Sequence, residues 1–345
     1  MAGRARRVRR YRRCLYRGRP LVLGPGGTAA WGSLRPWTRS RLRRAARQLW
    51  ARLSAGGRRS RLRLAPAAHG WLLAVPLEGD AQMRPGPELA TFAFHEVTDD
   101  PTASGFQRPA ALPYKHTRLA FAQHLASIGA GQLIPELVLE MDLERPGRHV
   151  LLSFDDGGKS ALYVSDELSR RGWKGHFFIV TNLIGSRTFL NRNEIRYIRS
   201  AGHVIGSHSH THPDIFRDQT PQQMTEEWRT SCDILADLLG EPCPVASVPG
   251  GDISPAVLHS AAGAGLRHLF TSEPWTRPRR VDGCWILGRF GPKTTTPPAR
   301  TAELARFRGW GRALLVRQLK EIARQTMPTL YRFYVRQTTR EWAAR

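Results

Sequence analysis

From Glu88 to Phe290 the chain keeps one rhythm: a short apolar run, a turn, a stretch of helical spacing, then another apolar run. "ELATFAFHEV", "HVLLSFDD", "GHFFIVTN", "HVIGSHS", "PVASVPG", "HLFTSEP" and "CWILGRF" read as strands. Between them "HTRLAFAQHLASIGA", "KSALYVSDELSRRGW", "NRNEIRYIRSAG", "TPQQMTEEWRTSCDILADLLG" and "SPAVLHSAAGAG" read as helices. Gly172 and Gly202 stop two of them. Thr220 caps the long one, Pro221 fills its first turn and Gly240 ends it. Strands alternating with helices demand a parallel sheet with helices outside. About seven such units in roughly 210 residues suit an α/β barrel better than an open sheet. In such barrels chemistry sits on the loops after the strands' carboxyl ends. The polar residues at those places are His95, Asp155–Asp156, His208–His212, Asp252, Ser272–Glu273 and Arg289.

Charge divides the chain as sharply as pattern does. Before Glu78 there are 20 Arg and no Asp, Glu or Lys, so most of the +25 formal net charge lies in the first fifth. This segment has few periodic apolar positions and cannot bury enough surface to offset its ordering entropy. We read residues 1–82 as a disordered or partly helical basic extension. It is a stretch upstream of the true start, a solvated tail, or a binder of nucleic acid or an anionic surface through bulk charge. The first is favoured, because Met83 opens "MRPGPELATFAFHEV" just before the first strong strand. Nucleic acid is the partner least expected. Residues 83–295 form the barrel, and residues 296–345 form a basic amphipathic helical tail broken near Pro328. The tail either packs on the barrel or attaches to an anionic membrane surface or acidic partner.

No apolar run reaches the ~20 residues of a membrane span, and the Arg-rich start lacks the apolar core and cleavage site of a signal peptide. The expected location is cytoplasmic, peripheral to the inner membrane face if the basic tails meet lipid. Cys14, Cys232, Cys243 and Cys284 show no CxxC pair, so reduced structural thiols are expected.

Two loops carry the chemistry. "GSHSHTHPD", Gly206–Asp214, holds three histidines in five residues. His208 and His212 are four apart, so one helical turn after the strand would set both imidazoles on one face, a spacing that suits a divalent metal. His210 would point elsewhere. "SFDDGGKS", Ser153–Ser160, ends its strand with Asp155 and Asp156. A His pair needs a third ligand to hold zinc and keep a position open, and a carboxylate from a neighbouring strand end supplies it. One Asp can ligate while the other takes a proton. Two adjacent carboxylates resist joint ionisation unless a cation stands near. Capping of the next helix is the plainer role for the pair, but one Asp would serve for that. Gly157–Gly158 points instead to close backbone approach.

"SFDDGGKS" followed by "HSHTHPD" resembles the polysaccharide deacetylase family, the NodB-homology domain of carbohydrate esterase family 4, over residues 88–292. The resemblance implies a distorted (β/α)7 barrel and a metal-dependent hydrolase that removes N-acetyl groups from an amino sugar or polysaccharide. It implies Asp155 as general base, Asp156, His208 and His212 as metal ligands, and Ser209 as a brace of the loop. The implied metal is zinc, with cobalt, nickel or manganese as further occupants.

The departures are specific. The family's third motif, Arg-x-Pro followed by an aromatic, is replaced by "SVPGGDIS", Ser247–Ser254. "TSEPW", Thr271–Trp275, stands where an Asp and Trp are usual, and the late general-acid His is missing near "ILGRFGP". A circularly permuted subset, similar to poly-N-acetylglucosamine deacetylases, carries that His on the first strand, and His95 in "FAFHEV" matches it. Arg289 in "LGRF" is a candidate for the missing Arg beside Asp155. A backbone N–H in the loop of Pro249 and Gly250 is a candidate oxyanion donor. Two other functions fit the same barrel: hydrolysis of a small cyclic amide or imide, or a catalytically weak binding module.

Overall fold

A computed structural model describes residues 63–67, 70–74, 86–251 and 253–340. Two compact units divide the chain, residues 1–77 and 78–345. In the first, Arg63–Ala67 and Gly70–Ala74 pair as antiparallel strands, a piece of regular structure inside the segment expected to be disordered or partly helical. The rest of residues 1–82, with Met83 and Cys14, lies outside the described residues, as does Asp252.

The second unit is built on one eight-stranded sheet. Its strands are β1 (Glu88–Phe94), β2 (Arg148–Phe154), β3 (His176–Ile179), β4 (Val204–Ser207), β5 (Val245–Ser247), β6 (His268–Phe270), β7 (Arg279–Val281) and β8 (Cys284–Leu287). All neighbours run parallel except β7, an antiparallel edge on β8. The sheet curls until its ends meet. Phe290, just past β8, forms a parallel bridge with Phe92, donating to the carbonyl of Thr91 (2.9 Å) and accepting from Ala93 N–H (2.9 Å). This is a distorted barrel of seven parallel strands. One seam is thin: β4 and β5 share a single pair, Ser207 with Ala246.

The helices follow the expected punctuation. They are α1 (Arg118–Gly129), α2 (Ala161–Arg170), α3 (Arg192–Ser200), α4 (Pro221–Leu239), α5 (Pro255–Gly263), α6 (Pro298–Ala305), α7 (Trp310–Thr326) and α8 (Pro328–Thr338). Thr220 caps α4 by accepting from Gln223 N–H, and Gly240 ends it with φ 71°. Such a cap stabilises by about 1 kcal/mol. The stretch assigned to the tail begins as barrel: Leu304, Ala305 and Trp310 are buried in the same core as α1 and α2. A strained turn at Phe307 (φ 60°) and Gly309 (φ 76°) separates α6 from α7.

Strand alternation sorts the side chains into two sets. One faces the helices: Phe92, Phe94, Leu152, Phe154, Phe177 and Ile179 pack there against α1, α2 and α3. The other fills the lumen with Leu89, Leu151, Phe178, Val204, Val245, Phe270 and Leu287. Two residues farther along their strands, the lumen set continues as Thr91, Ser153, Ser247 and Arg289, all buried. One step more on β2 and β4 brings Asp155 and His208, and two steps more on β1 brings His95. The period of two therefore delivers the chemistry to the barrel mouth.

Candidate active site and metal centre

Asp155 is held from inside the barrel. Arg289 grips it with both prongs: Nη1 donates to Oδ1 at 2.7 Å and Nη2 to Oδ2 at 2.8 Å. The same guanidinium donates from Nε to the Thr271 carbonyl (2.9 Å) and from Nη1 to Ser153 Oγ (3.1 Å). Its side chain is fully buried, with Cζ 5.8 Å and 5.9 Å from the ring centroids of Phe178 and Phe270. Ser247 Oγ adds a bond to Asp155 Oδ1 at 3.2 Å. Burial pushes the Asp155 carboxyl up, but the Arg289 charge, then the His208 charge and the Arg289 bonds, outweigh it and hold the carboxyl below its usual range. Asp155 stays ionised in a dry place.

Asp156 faces the other way. Its backbone sits in the left-handed region at φ 76°, as does Gly157 at 77°. That turn lifts the second carboxylate off the strand face and sets it against the histidine loop. A Cβ on Gly158 would overlap the Glu96 carboxylate, so the paired glycines do serve close approach. Neither Asp caps α2, whose N-cap residue is Ser160.

Asp156 Oδ1 lies 3.3 Å from His208 Nε2 and 3.7 Å from His212 Nε2. One ligand atom from each of the three buried residues falls within 4.8 Å of the other two. Burial raises the Asp156 carboxyl, but the His208 bond and the charges of His95, His208 and His212 bring it below its ordinary value. Burial, then the neighbouring His208, pushes His212 down to about 3, so its imidazole is neutral and has a lone pair to offer. His208 is aimed from behind: its Nδ1 stands 2.6 Å from Ser247 Oγ and 3.1 Å from the Ser247 carbonyl.

This donor set, two imidazoles and one carboxylate on a buried mouth, fits a zinc-like divalent ion. One contact competes. Arg108 Nη2 lies 3.3 Å from His212 Nδ1, and arginine can only donate, which leaves the ring proton on Nε2. A cation at Nε2 requires the other tautomer, so Arg108 must give up that bond.

The loop between the two histidines departs from expectation. It is not a helical turn. Ser209 and His212 both take positive φ, 63° and 56°, and the imidazole rings meet at 5.0 Å. Ser209 Oγ accepts from His212 N–H at 3.1 Å, a brace across the loop. His210 points to Thr181, with Nδ1 at 3.0 Å from its Oγ1. Sequence reading missed the main anchor, Glu227 on α4. Its carboxylate accepts from the N–H groups of His210 (2.9 Å) and Thr211 (2.8 Å) and from Thr211 Oγ1 (2.6 Å). No spacing in the chain marks Glu227, which lies one turn before Ser231, whose Oγ accepts from Ser207 at the end of β4 (2.7 Å).

His95 stands at the mouth with its ring 4.7 Å from that of Tyr114, and its Nδ1 is buried without a protein partner. Pro249–Gly251 forms a tight turn after β5 with Gly250 at φ 62°. A Cβ on Gly250 would lie 4.0 Å from the Asp214 carbonyl, so the turn borders the histidine loop.

The family described as polysaccharide deacetylase matches residues 142–269. Over this stretch the chain is similar to the polysaccharide deacetylase family. YxkH of Bacillus subtilis (strain 168) is 26% identical over 154 residues, 44% of this chain and 54% of that protein. The peptidoglycan-N-acetylglucosamine deacetylase PgdA of Listeria monocytogenes is 26% identical over 138 residues, 39% of this chain and 29% of PgdA. The match thus spans about half of one curated relative and less than a third of the other. The crystal structure of a polysaccharide deacetylase from Bacillus cereus superposes with a TM-score of 0.55 at 16% identity, covering 64% of this chain and 69% of that one. This last likeness is one of fold. The three described cysteines, Cys232, Cys243 and Cys284, are free thiols. No helix among the described residues is long and apolar enough to cross a membrane.

Proposed function

We propose that the protein is a metal-dependent deacetylase that hydrolyses the N-acetyl amide of an amino sugar, free or within a polysaccharide. The observation that carries this is the split of two adjacent carboxylates: Asp155 is tied to Arg289 and Asp156 to His208 and His212. Its similarity to the deacetylase family, with a relative named for peptidoglycan N-acetylglucosamine, supports the substrate class.

Asp156, His208 and His212 would hold the ion, zinc by their chemistry. A bound divalent ion supplies Lewis acidity to the amide carbonyl and to water. Asp155 accepts the proton of the attacking water. Arg289 keeps that carboxylate ionised and oriented, so the proton has one place to go. The water oxygen forms the new bond to the acyl carbon, and negative charge gathers on the former carbonyl oxygen. The backbone N–H of Gly250, on the turn that borders the histidine loop, is the donor assigned to that charge. When the C–N bond breaks, His95 gives the leaving amine its proton and acetate departs. The buried Nδ1 of His95 has no protein partner.

Acetate release from a panel of N-acetylated sugars, with metal stripped and restored, tests the reading. Asp155→Asn is expected to keep its metal and lose about two to four orders of magnitude in turnover. His208→Ala is expected to lose both metal and turnover. Normal turnover by Asp155→Asn would remove the base assignment.

A further inference from the structure

Eight of the large apolar side chains that remain exposed lie on α7, α8 and the bend between them: Leu315, Val316, Leu319, Ile322, Met327, Leu330, Phe333 and Tyr334, each 48% to 63% exposed. On α7 the positions 315, 319 and 322 form a stripe at helical spacing. The opposite side of the pair is fully engaged. Arg317 bonds Glu273 (2.7 Å) and the Gly251 carbonyl (2.7 Å), Arg217 bonds Glu321 (2.6 Å), Arg332 bonds Asp218 (3.0 Å), and the Thr338 carbonyl accepts from Ala110 N–H (2.9 Å). Those partners sit on the loops after β5, β6, β4 and β1. The helices are therefore strapped to the rim of the catalytic mouth, with their apolar stripe turned outward.

The charges along the stripe have one sign. Arg312, Lys320, Arg336 and Arg340 are exposed, whereas the one acidic residue of 310–340, Glu321, is half-buried against Arg217. We propose that α7 and α8 dock this face on a lipid bilayer bearing anionic headgroups and so hold the mouth at the membrane surface. An amphipathic helix with Leu, Ile and Phe on one side and Lys and Arg beside them lies in such an interface, its cations reaching the headgroups. A second copy of this chain is a poor occupant, because a two-fold contact would set four exposed cations against the same four. Nucleic acid would use the charge but leave the stripe uncovered. The inference does not rest on the deacetylase reading, and its test does not measure turnover.

Hydrogen exchange on the full chain, alone and with vesicles of phosphatidylcholine or of phosphatidylcholine with phosphatidylglycerol, decides it. Following exchange by peptide separates this surface from the Arg-rich N-terminal segment. Protection of residues 315–334 is expected on the anionic vesicles only, weakening as salt rises. The double variant L319Q/F333Q, both sites exposed, is expected to lose that protection and to bind at least about tenfold more weakly. Unchanged exchange of 315–334 in vesicle-bound protein would overturn the proposal, as would failure to bind anionic vesicles at low salt. Protection that grows with protein concentration without lipid would assign the face to a second copy instead. Protection only on addition of an acidic protein helix would assign it to a protein partner.

Discussion

Asp155 and Asp156 are adjacent in the chain, yet they belong to two differently built regions. Asp155 joins the barrel floor, where Arg289, Ser153, Ser247 and the Thr271 carbonyl lie on or directly beside strands. Asp156 joins the rim, where His208 and His212 ride a loop with two positive-φ residues, fastened by Glu227 and Ser209. The floor is a set of partners at fixed register, whose Ser247 also touches His208 on the rim. The rim is a loop whose shape depends on side-chain bonds. The proposed function divides along the same line: the floor would set a charge, and the rim would place a ligand set.

The comparison breaks first at Arg289. Arg289→Met leaves the Asp155 carboxylate buried with no cation. Losing one partner of a buried pair costs about 3–5 kcal/mol. Turnover is expected to fall below detection, and urea unfolding with acetate release reads both effects. Arg289→Lys is not expected to rescue, because an ammonium cannot make the two parallel bonds. A stable, active Arg289→Lys protein would show that the floor needs only charge.

Glu227→Gln is the milder test, on the rim. It keeps the side chain's shape but weakens the charge-assisted bonds to the N–H groups of His210 and Thr211. Zinc affinity, measured by competition with a chelator, is expected to drop about 10- to 100-fold. Turnover at saturating zinc should return most of the way, because Asp155 and Arg289 are untouched. Loss of turnover that excess zinc cannot restore would mean that floor and rim are one unit.

These regions were not equally legible in the sequence. The floor follows from period two. Once "HVLLSFDD" and "CWILGRF" are strands, Ser153, Asp155, Leu287 and Arg289 share one face by parity, and that parity makes Arg289 a partner for Asp155. The rim does not follow, because Ser209 and His212 take conformations that no spacing rule encodes. The four-residue interval suggested a helical turn, and the loop reaches a similar juxtaposition by another path. Ser247 and Glu227 went unseen because each acts through contacts across elements, as hydroxyl and carboxylate anchors that look ordinary in the chain. The tail was left open between packing on the barrel and surface attachment for a related reason. "ELARFRGWG" carries its apolar weight at Leu304 and Trp310, six residues apart across a turn, which does not look like one packed face.

A third carboxylate sharpens the contrast because no basic side chain pairs with it. Glu96 follows His95 and is buried behind Gly158. Ser160 Oγ donates to its Oε2 at 2.6 Å, Ser104 Oγ donates there too, and Oε1 has no protein partner. Lys115 spends its ammonium on the carbonyls of Pro101 (2.5 Å) and Ser104 (2.6 Å). Burial dominates, and the Asp156 charge adds to it, so the Glu96 carboxyl rises from 4.5 to about 7 despite the serine bonds and Lys115. The folded value lies above the unfolded one, so this contribution to stability is fully present below pH 4.5 and is lost as pH rises through 7. At about 1.4 kcal/mol per pKa unit, roughly 3 kcal/mol disappears across that window. Glu96→Gln preserves the shape and carries no titrating proton. Urea unfolding of the metal-stripped protein at pH 4.5, 6 and 8 should show the wild type weakening relative to the variant by about that amount. Parallel stability curves for the two proteins would mean that Glu96 is ionised in the fold, balanced by a cation as Asp155 is.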